Sequence, residues 1–132
     1  MDSPTPSQTP SWQTLSHQQC LGVITRPPRG HMVVVTVADA AALALLCVVS
    51  PGGDVVVPTG TDPRLERLAH GKPVTVEFPE EAGYTITGVG LACPLRYEDR
   101  VLARAALPRW HTFDHGIRVL VARLTGNRAV RR

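Results

Sequence analysis

The chain has 132 residues, 43% of them hydrophobic, and carries 14 basic against 11 acidic residues for a formal net charge of +3. This length suits one domain that buries about two-thirds of its unfolded surface around a single core, so no disulfide or metal staple is required. Only 5% of the residues are aromatic and none form a stacking platform interleaved with the arginines, which argues against a nucleic-acid partner.

Residues 1–13 are rich in Ser, Thr, Pro and Gln, without a positive leader or an apolar run, and read as a disordered lead before a domain over 14–128. Ser16 is placed to cap a helix that runs through Cys20, Leu21, Val23 and Ile24 and stops before Pro27-Pro28 and Gly30. Met32 to Val49 is almost wholly apolar and approaches the length of a membrane span. Asp39 in its middle would cost about 2.5–3.5 kcal/mol in a bilayer, and the β-branched run Val33 to Val37 favours strand. A hairpin is therefore expected, with strands His31–Val37 and Ala42–Val49 turning near Asp39-Ala40, and no membrane partner.

Pro51-Gly52-Gly53-Asp54 is a turn signal, and Val55–Thr59 follows as a third strand. Asp62 as N-cap, Pro63 at the first helical position, and Gly71 then Pro73 at the far end delimit a short helix with Leu65, Leu68 and Ala69 on one face. Pro73–Phe78 alternates apolar and polar residues. After Glu80-Glu81-Ala82-Gly83 a longer strand runs from Tyr84 to about Leu95, where Gly88 and Gly90 suggest a bulge. Arg96–Ala106 reads as a helix and Ile117–Leu124 as the last strand, before a basic tail at 129–132. The sum is a mainly β fold, six antiparallel strands with three short helices, which close most economically into a small barrel.

The richest chemistry lies where the third strand meets the capped helix, at Val57-Pro58-Thr59-Gly60-Thr61-Asp62-Pro63-Arg64. Backbone amides, two threonine hydroxyls and a guanidinium are set there as a phosphate would need them. An ionised Asp62 would compete for the same positive field, and a plain connector helix with ordinary caps reads equally well. Cys20, Cys47 and Cys93 lie far apart in apolar surroundings, as buried thiols of a reducing, cytoplasmic compartment do. His111 and His115 flank a loop and do not make a metal site; no metal is expected, and no catalytic constellation is found.

Leu107-Pro108-Arg109-Trp110, Asp114-His115-Gly116-Ile117-Arg118-Val119 and Leu124-Thr125-Gly126-Asn127-Arg128 resemble the closing segment of the pyridoxamine 5′-phosphate oxidase-like split-barrel family. Earlier motifs follow in the family's order: Gly30-His31-Met32-Val33-Val34, Gly52-Gly53-Asp54, Pro58-Thr59, Arg64-Leu65, Gly71-Lys72-Pro73-Val74-Thr75-Val76-Glu77-Phe78 and Gly83-Tyr84-Thr85-Ile86. The resemblance spans about residues 14–130. It implies a homodimeric six-stranded split β-barrel that holds FMN, or in some branches a deazaflavin coenzyme, in a groove between subunits. Cofactor phosphate then falls to Thr59, Thr61 and Arg64, beside Val57 and Pro58 on the strand.

Trp110 and Arg118 match the tail positions near the groove. Trp110 reads either as a stacking partner for the flavin ring or as an interface or core anchor, and Arg118 either as a groove contact or as an ion pair. Two departures weigh on the cofactor. Pro58 stands where the family usually has an arginine, and Leu43–Val49 lacks the Pro-Val-x-Tyr pattern of many relatives. The implied function is a small FMN-binding oxidoreductase acting on an unidentified small molecule. The alternatives are a deazaflavin-dependent reductase of the same fold, or a cofactor-free binding or structural homodimer.

Overall fold

The computed structural model describes residues 11–25, 30–38, 40, 42–81, 83–108 and 112–130. In chain order the elements are β1 (Ser11–Leu15), α1 (His17–Ile24), β2 (Gly30–Val37), β3 (Leu43–Val49), β4 (Val55–Gly60), α2 (Arg64–Ala69), β5 (Pro73–Glu81), β6 (Tyr84–Pro94), α3 (Tyr97–Ala106) and β7 (His115–Val130).

Ser16 opens α1 through a capping box: its hydroxyl accepts from the Gln19 amide at 3.1 Å, and the Gln19 side chain accepts from the Ser16 amide at 2.8 Å. The apolar segment after it forms the expected hairpin, with Val33 opposite Leu45 and Val35 opposite Leu43. No helix among the described residues is long and apolar enough to cross a membrane. The sheet runs β1-β7-β4-β3-β2-β5-β6, and pairing of β6 with β7 closes β2 to β7 into a six-stranded antiparallel barrel. The 16-residue β7 pairs with β6 along most of its length, with β4 over residues 115–119 and with β1 over 126–130.

Two expectations are corrected at the termini. The composition of Ser11 to Gln13 suits a disordered lead, yet they lie in β1, where the β7 edge left free beyond β4 supplies hydrogen bonds that need no apolar pattern. Residues 129 and 130, expected in the basic tail, end β7 instead, held opposite Trp12 and Ser11. Residues 131 and 132 lie outside the described ones.

Alternation within the strands fills the barrel: Val33, Val35, Val55, Val57, Val74, Val76, Ile117 and Val119 are each at most 1% exposed. A second apolar layer lies outside it. Val48 and Val56 pack with Ala103 from α3, with Leu107 just past its end and with Phe113, so β4 and the end of β3 are covered on both faces. That explains the apolar runs Cys47–Val49 and Val55–Val57, whereas Leu43 and Ala44 at the start of β3 stay exposed. Cys47 is fully buried, and burial pushes its thiol up to about 12, as befits a packing residue and not a nucleophile.

Candidate functional site

β4 leaves the barrel through a bulge between Pro58 and Gly60, and Gly60 takes a left-handed backbone, φ +67°, to start the turn into α2. Pro58 is buried opposite Gly116, where its ring brings no amide donor. The Thr59 hydroxyl donates to the Asp62 carbonyl at 2.7 Å, and the Asp62 amide returns a bond to the Thr59 carbonyl at 3.2 Å. Thr59 thus ties the turn, whereas Thr61 is exposed.

The helix start departs from expectation by one residue. Pro63 is the N-cap and makes no side-chain cap bond; α2 begins at Arg64. Asp62, one position earlier, still serves the first turn, because its Oδ1 accepts from the Arg64 amide at 3.0 Å. The same carboxylate grips the Arg64 guanidinium, with Nε at 3.0 and 3.1 Å and Nη2 at 2.8 Å. This pairing holds the Asp62 carboxyl down at about 2 and raises Arg64 above its usual value. The turn therefore carries its own anion. An external phosphate has available the exposed Thr61 hydroxyl and Arg64 Nη1, which makes no hydrogen bond among the described residues, and it competes with Asp62 for the rest.

Arg118 lies on the outer face of β7, opposite Val56 and Cys93, with its side chain 12% exposed. Its guanidinium sits between two carboxylates, Nε 3.2 Å from Asp99 Oδ2 and Nη1 3.5 Å from Asp54 Oδ2. Of the two roles left open by the sequence, an ion pair is what the fold provides. Trp110 and its neighbour His111 lie outside the described residues. The structure thus brings Val57, Pro58, Thr59, Thr61 and Arg64 into one strand-turn-helix unit, with Arg118 separately engaged beside β4.

Sequence reasoning missed Glu66. Its carboxylate accepts from the Gly116 amide at 3.2 Å and meets His115 Nδ1 at 2.7 Å, clamping α2 onto the start of β7 across 49 and 50 residues of sequence. No local pattern signals a pair that far apart. The Gly116 amide, and then His115, hold the Glu66 carboxyl below its ordinary 4.5. A carboxyl depressed in the folded state stabilises fully above its unfolded value and less as pH falls through the folded one. Glu66→Gln is thus expected to lower the melting temperature near pH 7 by a few degrees, with the gap to wild type closing as pH drops below 4.5; a gap independent of pH would refute the clamp.

No protein-family model matches the chain, and no curated protein matches its sequence. Solved structures do. An FAD binding protein from Mycobacterium smegmatis superposes with a TM-score of 0.61 at 22% identity, over 89% of this chain and 98% of that one. A protein named "putative pyridoxamine 5′-phosphate oxidase" from Corynebacterium glutamicum gives a TM-score of 0.61 at 17% identity, over 100% of this chain and 98% of that one. The chain has the pyridoxamine 5′-phosphate oxidase-like barrel fold. Within this fold the Thr59–Arg64 turn and the β4–β7 seam occupy one end of the barrel, while α1 and the 126–130 stretch of β7 occupy the other.

Proposed function

We propose that this chain is a flavin-binding oxidoreductase, a homodimer that holds FMN with the phosphate at Thr61 and Arg64 and acts on a small molecule. The observation that carries the reading is the Thr59–Arg64 turn, an exposed hydroxyl and guanidinium at the end of a barrel strand, in a fold shared with a protein described as FAD binding. A flavin supplies the redox step itself, so the protein need only bind, orient and shield it. Thr59 fixes the turn, Val57 and Pro58 anchor the buried strand that leads into it, and the family resemblance would put Trp110 and Arg118 at the groove margin. Arg118 brings little charge, being met by Asp99 and Asp54. Three free cysteines suit a reducing, cytoplasmic setting.

The dimer is supported by the outer face of β6 and β7. Leu91 and Leu120 are register partners there, 51% and 39% exposed, and Val89 at 46% extends the patch. A second copy would cover this apolar surface. The chain is then expected to sediment at twice its 14.3 kDa mass at micromolar concentration; a stable folded monomer would rule out a groove between subunits.

Titration with FMN, and separately with a deazaflavin coenzyme, followed by fluorescence quenching, tests the cofactor. Micromolar binding of FMN is expected. Arg64→Ala should weaken it about tenfold, the lower end for an exposed charge-assisted contact, with a shallower salt dependence. Asp62→Asn should tighten it, because the guanidinium is then released to the phosphate. Preference for the deazaflavin would keep the fold and change the cofactor.

A second reading, a cofactor-free binding or structural homodimer, is favoured by the hold of Asp62 on Arg64 and by the donor lacking at Pro58. Absence of binding to either compound, in wild type and in Asp62→Asn alike, would establish it over the first.

A further inference from the structure

At the end of the barrel opposite the Thr59–Arg64 turn, α1 lies across the mouth and leaves a cavity of about 650 Å³ beneath it. Its floor is apolar, formed by Leu15, Phe78 and Ile86, all at most 8% exposed. Tyr84 and Arg128 stand at its edge, with the guanidinium carbon 5.7 Å from the centre of the tyrosine ring. Arg128 is exposed and makes no ion pair with any described side chain. A cation steered over an aromatic ring at the rim of an apolar pocket is a receptor arrangement for an organic anion.

Gly22 gives an independent indication. It sits inside α1 and lines the cavity, yet a Cβ added to it would meet nothing within 4 Å, and its backbone is not left-handed. Glycine is among the poorest helix formers, and neither close packing nor turn geometry demands it here. What the missing side chain preserves is open volume on the helical wall of the pocket.

We infer that this cavity is a second ligand site, separate from the turn at residues 59–64, for a small amphipathic anion: a ring system seated on Phe78 and Ile86 with a carboxylate or sulfonate turned to Arg128. The volume lies within the range of small-molecule pockets and accommodates a bicyclic ring with its acidic group.

The test uses the full-length protein and two probes of nearly equal shape, 2-naphthoate and the neutral 2-naphthylmethanol, measured by competition against a fluorescent anilinonaphthalene sulfonate. Wild type should bind the naphthoate saturably and about tenfold more tightly than the alcohol, the scale of one charge-assisted contact. Gly22→Leu should lose at least tenfold in affinity for both probes while the melting temperature holds or rises, since leucine is the better helix former. Arg128→Gln should erase the preference for the anion and leave binding of the alcohol unchanged. Absence of saturable binding to wild type, equal binding by wild type and Gly22→Leu, or an anion preference that survives Arg128→Gln would each overturn the assignment.

Discussion

Asp99→Ala is expected to lower the unfolding free energy by about 3–5 kcal/mol, the scale of breaking a buried ion pair from one side, in a fold whose whole stability is on the order of 5–15 kcal/mol. Asp99 is 2% exposed, the one charged residue found buried among those described. Its Oδ2 accepts from the Arg96 amide at 2.8 Å, which satisfies the backbone at the start of α3, and Arg96 Nη2 lies 3.4 Å from Oδ1. Arg118 Nε stands 3.2 Å from Oδ2 but off the hydrogen-bond direction, so that contact is chiefly Coulombic. Truncation therefore removes a helix cap and leaves Arg118, 12% exposed, with only Asp54 at 3.5 Å. Urea unfolding checks this. Asp99→Asn, which keeps an acceptor for the Arg96 amide, should fall between wild type and Asp99→Ala. The pair Asp99→Ala with Arg118→Met should be less destabilised than the two single losses added, because no unpaired charge remains. Strict additivity would show that the two side chains do not interact.

Gly90→Ala should cost about 3 kcal/mol, at the upper end of overpacking, because the obstruction is backbone. A Cβ there would overlap the Leu120 carbonyl oxygen, lie 2.6 Å from its carbon and 2.9 Å from the Val121 Cα. The β6–β7 register shifts at this point, between Val89 and Gly90, so the bulge brings one strand onto the other where only hydrogen fits. Gly88 is the control. Its added Cβ would meet the Leu124 Cδ2 at 3.1 Å and the Val121 methyls, all side-chain atoms able to shift, so Gly88→Ala should cost about 1 kcal/mol. Equal urea midpoints for the two variants would remove the bulge as the cause.

The order of elements was legible because most are written in local terms: Ser16 as the cap of α1, Gly52-Gly53-Asp54 for the turn before β4, alternation in Pro73–Phe78 for β5. What escaped depended on distant partners. Ser-Trp-Gln-Thr-Leu has no strand signature of its own and becomes β1 only because β7 offers it an edge. Residues 125–128 carry no apolar side chain and still form strand, since β6 and β1 pair along this stretch of β7. At the turn, the residue types that suit a phosphate were readable, but not that Asp62 would take the Arg64 guanidinium and yield the cap position to Pro63. Arg118 was read only up to a choice between groove and ion pair, because Asp99 and Asp54 reach it through tertiary packing.

The reliance of three neighbours on β7 sets an order of events during synthesis. Until residues 115–130 leave the ribosome, β4 and β6 each carry an open edge and β1 has nothing to pair with. A nascent chain that has already emitted six strands still holds exposed ladders and an unsealed apolar interior, a state prone to joining another chain. Closure comes in one late step of high sequence separation, so this protein should fold slowly for its size.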